Sequence, residues 1–343
     1  MKRRTLLTGS LVACSGVAIG VAALRRGRSQ ALVTVTGPTM GTFYQVRIPA
    51  DTLSVEALRS LAGRSLNAVE SRMSTYLPDS ELARFNRQLS ATWTHASAHT
   101  VTVIGQALEL SRRTDGAFDP TVGPLVELWG FGAAGRVETP PSDRELADAA
   151  TGVGFSRLRT SASASALRKT APGLEVDLSG IAKGFAVDRL AQALDTAGVA
   201  SYLVDVGGEL RARGNKPGGR PWRVGIERPA PGRRDVHRIV HLEQAAIATS
   251  GDYRRFFVHG GRRYTHAIDP RTAHPVSHSL ASVSVIADDA MTADALSTAL
   301  MVMGPEEGYE FARNLDIAAL FIAHDTDGYQ ERSTPPFGTY LLS

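Results

Sequence analysis

The stretch AMTADALSTALMVMG, Ala290 to Gly304, reads as a helix that is apolar on nearly all sides. Asp294 and Thr298 interrupt that surface one turn apart, within about 40° of each other, with Ser297 beside them. A carboxylate and a hydroxyl so placed can bridge one hard cation. Oxygen donors favour Mg2+ or Ca2+ over zinc. The plainer alternative is an acid favoured by the helix dipole and a threonine bonded back to the preceding turn. Spacing alone leaves both open.

A second constellation is VDLSGIAKGFAVDRL, Val176 to Leu190. It reads as a strand that delivers Asp177, a helix opened by Gly180, and Lys183 in the first turn. Helix amides and a lysine suit a phosphate, although the GxxxxGK[ST] pattern is absent here. A solvated lysine on an amphipathic helix is the competing reading. In TDGAFDPTVGPL, glycines and prolines fix a loop around Phe118 and Asp119, either shaping a pocket or making a turn. In RRYTHAIDPRTAHPVSH, His266 ends a strand and is open as a general base or a structural histidine. His266, His274 and His278 lack a familiar zinc spacing, and Pro275 forbids a regular helix between the last two.

The elements that must position these residues follow from periodicity. LVTVTGPTMGTFYQVRI alternates and reads as two strands broken at Gly37-Pro38 or Gly41. Helices are expected over SVEALRSLAGRSLNAVESRMS, capped by Thr52 or Ser54, and over DSELARFNRQ, capped by Asp79 or Ser80. TVTVIGQALELSRRTDG, ending at Gly116, and PSDRELADAA read as two more. TSASASALRKTAPG is small and polar and reads as a surface excursion, followed by a strand LEVDLS. Strands are expected at YLVDVGGELRARG, WRVGIERP, RIVHLE, AAIATS, FFVHGGRRYTHAI, ASVSVIA and IAALFIA, with a helix after Pro305. Strands and helices mix without strict alternation. The expected class is therefore α+β, with mixed or antiparallel sheets and packed helices.

The 343 residues carry a net charge of +4, but residues 1–30 hold six basic residues and no acid. Without them 32 basic residues face 34 acidic ones, so the body is not a basic nucleic-acid binder. Residues 1–31 read as an export signal, with Arg3-Arg4 and Leu6-Leu7 in a twin-arginine-like start and an apolar run to Leu24. An ordinary secretory signal or an uncleaved anchor remains open. Cys14, the only cysteine, excludes an internal disulfide. It sits in LVAC, which resembles a lipobox, so a membrane tether is open. The expected organisation is this signal followed by one catalytic domain, residues 32–343, outside the cytoplasm on the periplasmic side.

Eight stretches, in order, resemble the ApbE family of FAD:protein FMN transferases: GPTMGTFYQVRI, MSTYLPDSELARFN, DGAFDPTVGPLVELWGFG, VDLSGIAKGFAVDRL, YLVDVGGELRARG, AIATSGDYRRFF, YTHAIDPRTAHPV and TADALSTALMVMG. The resemblance implies an ApbE-like fold and a Mg2+-dependent reaction. A threonine hydroxyl of an exported partner attacks the FMN-side phosphorus of FAD, and AMP leaves. By position, Met40, Tyr76, Ala117, Phe118, Asp119, Asp177, Lys183 and His266 are implied FAD contacts. Gly180, through its carbonyl, with Asp294 and Thr298, is the implied magnesium set. His266 is the implied base toward threonine, and Asp177 the second candidate. Implied partners are FMN-binding domains, among them subunits of sodium-pumping NADH:quinone reductase and related electron-transfer complexes. FAD hydrolysis to FMN and AMP, or non-catalytic flavin binding, are the competing readings. Two positions depart from the family pattern: Gly180, where Ala, Ser or Thr is frequent, and Ala273, where glycine is common.

Overall fold

The computed structural model describes residues 31–342 apart from positions 136, 138, 231, 233, 234 and 327. The export signal expected at the N-terminus, with Cys14, lies outside the described residues except for Ala31. Among the described residues, no helix is long and apolar enough to cross a membrane.

Leu32–Thr39 (β1) and Thr42–Pro49 (β2) form the first hairpin. Met40 and Gly41 both have positive φ, 48° and 69°. That two-residue turn matches the twist of its strands, so the break falls at Gly41 and not at Gly37-Pro38. Val55–Met73 (α1) starts at Ser54, whose Oγ accepts from the Ala57 amide at 3.1 Å. It buries Leu58, Ala62, Leu66, Val69 and Met73, one stripe at helical spacing. Glu81–Asn86 (α2) is capped by Ser80. After the short strand Thr94–His95 (β3) come Ala98–Arg113 (α3), Gly123–Leu128 (α4) and Asp143–Ala150 (α5). The last carries a capping box of Ser142 and Glu145.

Two expectations fail in the next segment. The supposed surface excursion contains a hairpin, Leu158–Ser161 (β4) and Ala166–Lys169 (β5), and β5 also pairs with β3. Lys169 is buried there because its ammonium donates to the carbonyls of Asn86 and Leu174. Leu174–Ser179, expected as a strand, joins no ladder. The Val176 amide donates to Asn86 Oδ1 at 2.9 Å, and the Asp177 amide to the Pro120 carbonyl at 2.7 Å. The alternation is real, since Leu174, Val176 and Leu178 are buried. Its backbone partners are a side chain and a loop.

Ala182–Thr196 (α6) leads into Tyr202–Val206 (β6) and Glu209–Arg213 (β7), then Trp222–Glu227 (β8), Val236–Leu242 (β9) and Ala246–Gly251 (β10). Phe256–His259 (β11) and Arg262–Thr265 (β12) turn at Gly260-Gly261. Ile268–Asp269 (β13) pairs with His274–Pro275 (β14). Leu280–Ala287 (β15), Ala290–Asn314 (α7), Ala318–Asp325 (β16), Gly328–Ser333 (β17) and Pro335–Gly338 (α8) complete the chain. The half-exposed, polar β17 was not expected from the sequence. The main sheet runs β1-β2-β6-β7-β10-β15-β16-β17, and every neighbouring pair is antiparallel.

One face of this sheet packs against α1, α6 and α7 around Val204, Val285, Leu190 and Leu300. Burying a leucine such as Leu300 contributes about 1.5–3 kcal/mol. The other face is covered by the β8–β9 hairpin and α8, through Trp222, Val224 and Phe337. A smaller cluster stacks Trp129 on Tyr264 and Phe257. The α+β architecture stands, and its sheets are antiparallel rather than mixed.

Candidate functional site

The site begins where α6 and α7 start side by side. No side chain of its own caps α6. Asp294, buried in the second turn of α7, accepts from the Gly184 amide at 2.9 Å through Oδ2. In return Asp188 of α6 accepts from the Ala290 and Met291 amides at 3.0 and 2.8 Å. Gly184 permits this approach. A Cβ there would stand 2.1 Å from the Ala290 carbonyl oxygen.

Lys183, also in the first turn of α6, turns its ammonium between two carboxylates. Nζ lies 3.5 Å from Asp294 Oδ1, 3.5 Å from Glu209 Oε1 and 3.2 Å from the Ser179 carbonyl. Burial works against the ammonium, but Asp294 and Glu209 outweigh it and hold its pKa above the ordinary lysine value. The Thr298 hydroxyl reaches the Gly180 carbonyl at 3.4 Å and Ser250 Oγ at 3.5 Å. Bonding back to the helix falls instead to Ser297, whose Oγ donates to the Asp294 carbonyl at 3.0 Å. Asp177 shapes the entry to α6, its Oδ1 accepting from the Ser179 amide at 2.7 Å.

His266 follows β12 directly. Its Nδ1 lies 3.2 Å from the Arg255 carbonyl. A carbonyl only accepts, so Nδ1 carries the proton and Nε2 keeps a lone pair. Burial, then Arg255, lowers the His266 pKa to about 4, and the ring is neutral at pH 7. Asp119 holds its own loop together. Oδ1 accepts from the Thr121 amide and hydroxyl, and Oδ2 from the Phe155 amide. Burial still raises its pKa against those bonds.

Every FAD contact and magnesium ligand that the resemblance implies lines one cavity of about 1180 Å³, whereas Ser297, His274 and His278 lie outside its lining. Lys183, Gly180, Asp294 and Thr298 form part of its wall. Ala117, Phe118, Asp119, Asp177 and His266 line it too, as do Met40 in the hairpin turn and the exposed Tyr76. Such a space suits an extended ligand with an anionic part.

The sequence model of the ApbE family matches residues 40–321, a span holding all of these residues. The chain belongs to the ApbE family. An FAD:protein FMN transferase of Vibrio cholerae is 42% identical over 311 residues, covering 90% of this chain and 92% of that protein. The solved flavin transferase ApbE from Vibrio cholerae aligns with a TM-score of 0.84 at 41% identity, over 91% of this chain and 99% of that one. The apo form of Pseudomonas stutzeri flavinyl transferase ApbE gives 0.83 at 39%, over 91% and 98%.

Four residues of this ApbE-family site are not among the candidates that the sequence offers. Glu209 follows a glycine turn, where an acid looks exposed by default. Gly184 and Asp188 looked like ordinary helix positions, since their partners lie over 100 residues away. Ser250 is the penultimate residue of β10, a strand whose alternation alone could have aimed it at α7.

Proposed function

We propose that residues 32–343 transfer the FMN half of FAD to a protein hydroxyl, releasing AMP. The observation that carries this reading is the convergence of Lys183, Asp294, Thr298 and the Gly180 carbonyl on one wall of the cavity. The flavin-transferase names of the relatives support it. The acceptor oxygen forms a bond to the FMN-side phosphorus, the pyrophosphate bond to AMP breaks, and the hydroxyl proton leaves. His266 Nε2 is the acceptor we assign to that proton, and threonine is the hydroxyl we expect. Lys183 and the first turn of α6 face the anionic pyrophosphate.

A Mg2+ ion fits the donor set, which is one charged carboxylate with neutral oxygens. Asp294 Oδ1 meets Lys183 only at 3.5 Å, and Thr298 meets Gly180 only at 3.4 Å, both long for committed partners. Asp294, Thr298 and Gly180 would hold the ion, which supplies positive charge to the phosphate oxygens. Among the described residues no cluster of three or more His, Cys, Asp or Glu side chains competes for it. Residues 1–31 are proposed to export this domain to the periplasmic side, and the mass of the mature protein tests whether Cys14 is lipidated as a tether. The partner is then an exported FMN-binding domain.

The test is incubation of the purified body with FAD, Mg2+ and such a domain bearing a threonine. The expected result is a mass gain equal to an FMN phosphoester. AMP release without acceptor, and no mass gain, would favour FAD hydrolysis. Tight FAD binding with neither product would leave a flavin-binding protein.

A further inference from the structure

Glu209 opens β7 directly after Gly207-Gly208 and is 4% exposed. Its Oε1 and Asp294 Oδ1 stand at the same 3.5 Å from the Lys183 ammonium. Its Oε2 is buried and meets no hydrogen-bond partner. Such a carboxylate is expensive to keep inside a protein. Burial pushes its carboxyl toward the neutral form, and the Lys183 ammonium beside it pulls it back toward the charged one. A committed ammonium–carboxylate contact closes to about 2.8 Å. Lys183 is therefore shared and settled on neither acid.

We infer that Glu209 is a positioning residue, holding the Lys183 ammonium off Asp294 so that Asp294 can take a divalent cation. This rests on the cation reading given above. Without the Glu209 charge, Lys183 has one carboxylate left. It closes on Asp294 and competes there as an internal cation. The Ser179 carbonyl keeps it within reach.

The experiment is calorimetric titration of the full chain, free of FAD, with MgCl2, with melting curves to verify folding. Glu209→Gln is expected to raise the Mg2+ Kd about tenfold, a coupling of ordinary size for contacting groups. Glu209→Asp keeps the charge and is expected to stay within about threefold of the native value. In a Lys183→Met background the Glu209→Gln effect should shrink below about twofold, because no ammonium remains to be held. An equal effect in both backgrounds would show that Glu209 acts on the ion directly, and the inference fails. Native binding that ignores Glu209 altogether also overturns it while leaving the cation reading intact. Absence of Mg2+ binding to the native chain overturns both.

Discussion

Asp188 and Asp294 stand on different helices, and each caps the helix that carries the other. The α6–α7 pair is thereby fixed at its two N-terminal ends, where Lys183 and Thr298 face the cavity. Asp294 serves twice. One oxygen holds the Gly184 amide and the other faces Lys183.

The two duties of Asp294 separate by substitution. Asp294→Asn keeps an oxygen for the Gly184 amide but loses the charge. It is expected to fold with a near-native Tm and to lose at least about 100-fold in FMN transfer. Asp294→Ala also strands the buried amide and should cost a further 1–3 kcal/mol or so of stability. Thermal melts beside transfer assays decide this; full activity in either variant would remove Asp294 from the reaction.

Two glycines near each other should respond differently. A Cβ on Gly184 meets backbone at 2.1 Å, whereas one on Gly180 meets the Thr298 side chain at 3.0 Å. Gly184→Ala is expected to lose about 1–3 kcal/mol through forced helix separation. Gly180→Ala needs a shift of a few tenths of an ångström and should retain transfer within about tenfold. Its proposed donor is a backbone carbonyl, which alanine keeps.

The His266 ring sets a pH limit. Its pKa lies near 4 in the folded protein, against 6.5 in an unfolded chain. The acidic limb of kcat/KM should therefore lie below pH 5. A limb near 6.5 would exclude His266 as the base. Protonation favours the unfolded chain, so this histidine's contribution to stability is lost as pH falls from 6.5 toward 4. His266→Asn should flatten that part of a stability–pH curve.

Ala273, where the resemblance expects glycine, adopts φ 63°. A left-handed alanine costs about 1 kcal/mol, partly offset by the extra freedom glycine has when unfolded. Ala273→Gly should raise Tm slightly and leave FAD affinity unchanged. A clear fall in Tm would show that the Ala273 methyl contributes more than its backbone costs.

How much was legible follows from the range of each signal. The stripe of Asp294 and Thr298 was readable because helical periodicity is local. The turn at Gly41 and the cap at Ser54 were each one of two alternatives the sequence offered, because those signals are local too. Leu174–Ser179 was misread because alternation reports burial, and the partners that replace a ladder, Asn86 and Pro120, lie more than 50 residues earlier. The β4–β5 hairpin hid behind serines and alanines, and its buried Lys169 is explained only by two distant carbonyls. The buried place of Glu209 likewise depends on a lysine from another element.

Gly304 divides α7, with φ 86° and the His278 ring filling the space a side chain would need. The first segment is locked between the sheet and α6. The second buries Gly308 and Ala312 and packs Tyr309 on Phe321, while Arg332 reaches its exposed Glu306 and Glu310. The positive φ at Gly304 lets the second segment take its own direction while the first keeps Asp294 against α6. One helix thus has two anchorages that meet at a single glycine, the sheet and α6 on one side and Arg332 and Phe321 on the other. Charge reversals at Glu306 or Glu310 should redraw the surface and leave the chemistry alone.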